Sequence, residues 1–303
     1  MPPPRTRWAL ITGASPGGMG EAETSAFLKR GINVISTSLE ADKQEIEHVS
    51  PSPGTRDGFL VILHLDVTSS KSIAAAVKTV HQLTEGKLDW LVNNAGLGYY
   101  TPLLDTSLAL AKQEFDVNVF GLVAVTQAFF PMLRAAKGCV VNQGSIAGLP
   151  GFNRPYMGLY SSSKAAVMNL SDTMRLEFRP FDVRVCTLIT GPVKTEFFKN
   201  LQGAEVEADS VYGGIREVVN SRMRGSLGGG RGHDRFEVAN ATVEELLRED
   251  VPVYVTKGYM AGLICWLHWL LPTSWLDSYN NRGSGLDRLK GLINGEIEDE
   301  KSK

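Results

Sequence analysis

Short apolar runs alternate along this chain with stretches whose apolar residues recur every three or four positions. WALIT (8–12), INVIS (32–36), FLVILHLDV (59–67), LDWLVNNAG (88–96), GCVVNQGS (138–145) and VRVCTLIT (183–190) read as short strands buried on both faces. Between them, 21–30, 70–85, 115–136 and 160–178 carry helical periodicity. This alternation predicts βαβ units. Right-handed crossovers then give one Rossmann-type, doubly wound parallel sheet with helices on both faces. Such α/β sheets bind ligands at the carboxyl ends of their strands. Here those ends carry Gly13, Ser36 to Ser38, Asp66, Asn93, Ser145 and Thr190.

The regularity fades after Thr195. Two helical stretches between 196 and 250 flank GSLGGGRGHDR (225–235), which cannot bury much and reads as a mobile loop over the substrate end. The organisation expected is one domain, 1–303. It comprises a nucleotide-binding and catalytic core (6–200), a substrate loop region (201–257), an apolar helix (258–276) and a charged tail (296–303).

Composition narrows the function classes. The net charge of -2 comes from both signs mixed along the chain, which leaves no nucleic-acid footprint. Cys139, Cys186 and Cys265 are widely spaced, and the first two sit in apolar runs, as buried thiols in a reducing compartment do. The five histidines have no metal-ligand spacing, so no metal is expected. The apolar run after MPPPRTR is too short for a signal-peptide core, and no stretch reaches the roughly 20 apolar residues of a spanning helix. The expected location is cytoplasmic.

Two motifs carry chemistry. TGASPGGMG (12–20) lies between the first strand and the first helix. Its glycines permit a tight turn and close approach to a pyrophosphate, and the helix N-terminus offers unpaired N–H groups to that anion. An NAD enzyme usually ends its second strand on an acid that holds the ribose 2′-hydroxyl. Here Thr37, Ser38 and Leu39 stand there, and the first acid, Glu40, comes late. Ser15, Thr37 and Ser38 have hydroxyls for a 2′-phosphate and Lys43 a charge, which favours NADP (NADPH) over NAD. The second motif is YSSSK, whose Tyr160 and Lys164 share one helix face. Ser145 ends the preceding strand and Asn118 lies in the helix before that.

In this order, with NNAG at 93–96, these motifs resemble the short-chain dehydrogenase/reductase family from about residue 6 to 200. The loop matches that family's T-G-x-x-x-G-x-G at Gly13, Gly18 and Gly20, with Gly17 as one residue too many. The resemblance implies Tyr160 as catalytic acid/base, Lys164 lowering its pKa and holding the nicotinamide ribose, Ser145 donating to the substrate carbonyl, and Asn118 anchoring a proton-relay water. It also implies cofactor contacts from Ile11, Gly13, Ser15, Gly18, Gly20, Asp66, Val67, Asn93, Ala95 and Gly96. After the sixth strand, ITGPVKT (189–195) resembles the family's P-G-x-V-x-T with Thr190 in place of proline, so Val193 and Thr195 are expected at the nicotinamide. The activity implied is reduction of a ketone or aldehyde, with alcohol oxidation as the alternative and a non-catalytic NADP-binding regulator as a third.

GYMAGLICWLHWLLP (258–272) is apolar around the whole helix, which means burial or lipid. Two readings stand: a helix closing the substrate pocket or a subunit contact, and a peripheral anchor on endoplasmic reticulum or lipid droplets. This segment, the L-I-T-G phrase and the doubled glycine resemble fungal reductases similar to 1-acyl-dihydroxyacetone-phosphate reductases and those of natural-product pathways. A small lipophilic carbonyl substrate and a homo-oligomer, dimer or tetramer, are the partners implied.

Overall fold

The computed structural model describes residues 6–39, 58–152, 154–198, 205–207, 209–223 and 232–296, and the backbone of 47–49. Glu40, Lys43, most of the glycine-rich loop (224–231) and the tail beyond 296 lie outside the described residues.

Ten strands are described: β1 (Trp8–Ile11), β2 (Asn33–Ser38), β3 (Glu47–Val49), β4 (Leu60–His64), β5 (Trp90–Asn93), β6 (Cys139–Gln143), β7 (Arg184–Thr190), β8 (Val193–Lys194), β9 (His233–Asp234) and β10 (Tyr254–Lys257). Eight form the central sheet in the order β10-β7-β6-β5-β1-β2-β4-β3, and β8 pairs with β9 alone. All neighbours in the central sheet are parallel except β3 with β4. This is the doubly wound sheet expected from the alternation. The chain turns back at β1, which pairs with β2 on one side and β5 on the other, and that reversal opens a crevice beyond the strand ends.

Side-chain alternation feeds two cores. Trp8 and Leu10 of β1 enter the core on one face, and Ala9 and Ile11 the core on the other. Leu91 and Val140 follow the first pair, while Trp90, Val92, Cys139 and Val141 follow the second. The six strands read from the sequence are all present, and β3 and β10 are additional in the central sheet. β10 escaped because it is an edge strand in which only Val255 is buried, so no apolar run marks it.

The helices are α1 (Met19–Leu28), α2 (Ser70–Thr84), α3 (Leu108–Phe115), α4 (Leu122–Ala136), α5 (Gly158–Phe178), α6 (Arg216–Met223), α7 (Arg235–Leu246), α8 (Ala261–Leu270), α9 (Thr273–Asn281) and α10 (Leu286–Ile293). The helix expected from 115 begins earlier, as α3, and passes into α4 through a π-turn at Asp116–Gly121 that carries Asn118. The helical run Leu108–Ala136 is long enough, and over part of its length apolar enough, to cross a membrane by length and composition alone. It instead lies along the sheet, with Val125, Phe129 and Leu133 fully buried in the core. The end of the expected mobile loop is ordered: His233 and Asp234 form β9, and the Asp234 carboxylate accepts from the amides of Phe236 and Glu237 to cap α7.

The apolar C-terminal helix is shorter than expected. Pro272 disfavours the helical region for the residue before it, and Leu271 is accordingly extended (φ -99, ψ 135), so α8 stops at Leu270 after ten residues. Ala261 and Ile264 face inward, while Leu263 (48%), Trp266 (61%), Trp269 (85%) and Leu270 (56%) stand exposed. The helix is therefore half closure and half open surface.

Candidate active site

Ser145 ends the loop after β6 and caps a short 3-10 turn, its hydroxyl accepting from the Ala147 amide at 3.1 Å. Tyr160 lies in the first turn of α5, and Lys164 one turn further on the same face. The Lys164 ammonium donates to the Gln143 carbonyl at 2.9 Å and stands 5.8 Å from the Tyr160 ring centre. Gln143 also donates to the Thr190 hydroxyl at 2.7 Å, which ties the ends of β6 and β7 to the lysine. Thr190, standing where a proline was expected, thus has a partner of its own.

Asn118 sits behind this group. Its carboxamide accepts from the Leu97 amide at 2.8 Å and donates to the Leu97 carbonyl at 2.8 Å and the Ser163 hydroxyl at 3.0 Å. The π-turn is the local price of turning that side chain inward. Asn118 clamps the segment after β5 and does not line the cavity. A Cβ added at Gly96 would come within 3.2 Å of Asn118 Oδ1 and 3.6 Å of Lys164 Nζ, so the narrowness between them depends on a glycine.

Burial sets the protonation of the pair. It raises the Tyr160 phenol to about 12; a hydrogen bond from Ser145 lowers it, and the Glu114 charge raises it. Burial also depresses Lys164 to about 8, partly offset by Glu114. Burial thus outweighs the Ser145 hydrogen bond at the phenol. Glu114 itself, fully buried and raised to about 7 by burial, accepts from the Tyr99 amide at 3.4 Å.

The same cavity, of about 530 Å³, runs from the glycine loop to these groups. Gly13, Ser15, Gly18, Ser38, Asp66, Val67, Ala95, Gly96, Ser145, Tyr160, Lys164, Val193 and Thr195 all line it. Four expected contacts do not. Ile11 is a core residue with no exposure. Gly20 packs α1 against the β5 end, where an added Cβ would meet Asn94 Nδ2 at 2.6 Å. Thr37 is buried and donates to the Ile11 carbonyl at 3.2 Å. Asn93 donates to Thr126 and Asn142 at 2.9 Å each, which joins β5 to α4 and β6. Its neighbour Asn94 is the one that lines the cavity, donating to the carbonyls of Thr12 and Gly13 at 2.9 and 2.8 Å. A strand's side chains alternate, so a one-residue misjudgement of where β5 ends exchanges the two asparagines.

The cradle fits a dinucleotide. Gly13 has φ +63, and an added Cβ would lie 2.6 Å from Ala95 Cα. Gly18 opens α1 with no side-chain cap, which leaves the first-turn amides facing the cavity for an anion. Gly17, surplus by the family spacing, has φ +81 and touches the segment after β8: its carbonyl accepts from the Glu196 amide at 3.0 Å. The extra residue is thus built into the loop.

The sequence marks the C-terminal apolar helix as a candidate closure of the pocket but not the individual residues of the substrate wall. Tyr100, Phe152, Met157 and Phe197 line the cavity from loops, and Ile264 and Tyr279 from α8 and α9. Tyr100 and Phe197 flank Tyr160, with ring centres 6.1 and 5.8 Å away. No periodic signal marks them, because separate segments converge here only in the fold.

The short chain dehydrogenase family model matches residues 7–205. Among curated proteins, the short-chain dehydrogenase srdE of Neurospora crassa is 34% identical over 290 residues, covering 96% of each chain. The short-chain dehydrogenase ptmH of Penicillium ochrochloron is 37% identical, covering 88% of this chain and 93% of its own. Among solved structures, a short-chain dehydrogenase from Streptomyces avermitilis has TM-score 0.70 at 25% identity, covering 97% of this chain and 100% of its own. The chain belongs to the short-chain dehydrogenase/reductase family, and it is an oxidoreductase of that family with a fold that binds NAD(P). Neighbours of this fold hold different cofactors. An alcohol dehydrogenase from Thermococcus sibiricus complexed with 5-hydroxy-NADP has TM-score 0.65 at 25% identity, covering 85% of this chain and 98% of its own. A protein from Burkholderia phymatum in complex with NAD has TM-score 0.66 at 21% identity, covering 83% and 88%.

Proposed function

We propose that the protein reduces a ketone or aldehyde on a lipophilic substrate to the alcohol, with NADPH as the reductant. The observation that carries this reading is the meeting of the Ser145 and Tyr160 hydroxyls in a cavity walled by Tyr100, Phe152, Met157, Phe197 and Ile264. Gly13, Ser15 and Gly18 would hold the dinucleotide's phosphates and Val193 and Thr195 its nicotinamide end, and the cofactor so held would supply the hydride. Ser145 donates a hydrogen bond to the carbonyl oxygen as negative charge grows there. Tyr160 gives that oxygen its proton, and Lys164 holds its positive charge beside the phenol. A tyrosine kept protonated by burial suits the donor role. The aromatic wall excludes water and selects an apolar substrate. Ser38 at the end of β2, with no acid there, and Ser15 across the cavity support a 2′-phosphate.

Measuring kcat/KM with NADPH and NADH against a panel of aryl and alkyl ketones tests this. NADPH should win on an apolar ketone. A preference for NADH would overturn the reading of β2, and turnover confined to small polar substrates would overturn the reading of the wall.

We infer also that the enzyme meets its substrate at a lipid surface. The support is the unbroken absence of charged residues from 258 to 276, with Trp266, Trp269 and Trp275 exposed on helices whose inner side closes the cavity. This makes the location peripheral on a membrane or lipid droplet.

A further inference from the structure

Arg154 lines the cavity between the β6 loop and α5, and its guanidinium lies 5.9 Å from the centre of the Tyr279 ring. None of the ion pairs among the described residues includes it. A second cation stands behind it. Arg222 of α6 is only 9% exposed, donates to the Arg282 carbonyl, and has Nη1 buried with no hydrogen-bond partner among the described residues. Burial depresses Arg222 most, Tyr156 opposes this and the Arg154 charge adds to it, and no carboxylate pairs with Arg222 among the described residues.

The Arg154 charge at the cavity wall and the buried Arg222 charge repel each other, and burial costs Arg222 hydration. The Tyr279 ring holds Arg154 and the Arg282 carbonyl holds Arg222, but neither partner is an anion that would offset the two charges. A bound oxyanion supplies what is missing: it accepts from the Arg154 guanidinium fork and neutralises the local field. The position also relates to the chemistry. Burial raises the Tyr100 phenol most, with Tyr160 and Glu114 adding and Arg154 opposing, and its ring meets Tyr160 edge-on at 6.1 Å. Arg154, Tyr100 and Tyr160 line one cavity, so the cation and the reacting hydroxyl face the same space.

We propose that Arg154 is a specificity-determining residue, and that the substrate is an apolar carbonyl compound bearing an oxyanion, a carboxylate or a phosphate, held by Arg154 while its carbonyl lies at Ser145 and Tyr160. This rests on the reductase reading of the site and adds the charge of the substrate to it. Arg154 acts on the end of the substrate remote from the reaction, so its loss shows mainly in KM.

The test compares 4-acetylbenzoate, its methyl ester and 4-acetylphenyl phosphate as ketones, for the native enzyme, Arg154→Gln and Arg154→Glu. The native enzyme should favour the anionic ketones over the ester by about tenfold or more, the scale of a charge-assisted hydrogen bond. Arg154→Gln should erase that ratio through KM, with far less change for the ester, and Arg154→Glu should invert it. The larger Arg154 dependence, for the carboxylate or for the phosphate, identifies the group. Equal loss on ester and acids in Arg154→Gln, or a native preference for the ester, overturns the proposal. Calorimetric titration of 4-acetylbenzoate separates the two readings if no ketone is turned over. Binding that weakens about tenfold in Arg154→Gln upholds the anion site while the reductase reading fails. Binding that is absent or indifferent to Arg154 overturns the anion site.

Discussion

Glu23 offers a sharp test of how burial acts in this fold. It lies on the inner face of α1 at 1% exposure, and neither carboxylate oxygen has a hydrogen-bond partner among the described residues. Burial raises its pKa from 4.5 to about 8. The folded state therefore holds a proton that the unfolded chain releases above pH 4.5. Stability from this group is fully present below the unfolded pKa and is lost as pH rises towards the folded value. At 1.36 kcal/mol per unit, moving from pH 5 to pH 8 costs about 3.5 kcal/mol. The unfolding entropy is about 2.1 cal/mol/K per residue, so for 303 residues that loss equals a fall of roughly 5 °C in Tm. Glu23→Gln keeps the shape and removes the titration. Its Tm should lie near that of the native protein at pH 5 and exceed it by roughly 5 °C at pH 8, because other titrating groups are common to both chains. Differential scanning fluorimetry across this range is the assay. Parallel Tm curves for the two proteins would refute the reasoning and mean that the carboxylate is solvated or paired in solution.

Three further outcomes follow from the site. Tyr160→Phe should retain cofactor binding, read by fluorescence titration, while kcat falls at least about 10²-fold; near-native kcat would remove Tyr160 from the proton transfer. Gly17→Ala should weaken cofactor binding and lower Tm by more than Gly18→Ala does, since Gly17 has φ +81 and its added Cβ would lie 2.3 Å from Glu196 Cγ, against 3.1 Å from the Ser15 carbonyl for Gly18. A left-handed alanine alone costs about 1 to 2 kcal/mol, and equal effects of the two substitutions would contradict the loop geometry. Native protein should float with phosphatidylcholine vesicles in a density gradient, and Trp266→Ser with Trp269→Ser should remain at the bottom. Native protein that stays free of the vesicles would defeat the lipid-surface reading.

The sheet, its doubly wound order and the glycine cradle were legible in the amino-acid pattern because they rest on local signals. A parallel strand buried on both faces must be mostly apolar, as WALI and CVV are, and a phosphate loop must carry glycines between such a strand and a helix. The Tyr160–Lys164 spacing is likewise a local property of one helix face. Where a side chain points at a strand end is not, since the choice between Asn93 and Asn94 turns on one residue of register and on what β6 and α4 offer as partners. The protonation of Tyr160 depends on how closely Ser145, Glu114 and the aromatic wall crowd it, and these come from separate segments of the chain. The apolar helix near the C-terminus shows the same division. Its composition marks it as unusual, but only packing decides that Ile264 closes the cavity while Trp269 faces out. Arg154 is one arginine among many until the fold places it inside that cavity with Arg222 behind it. Long-range contacts decide these matters because burial and electrostatic fields depend on distance in space, whereas composition and periodicity report only on neighbours along the chain.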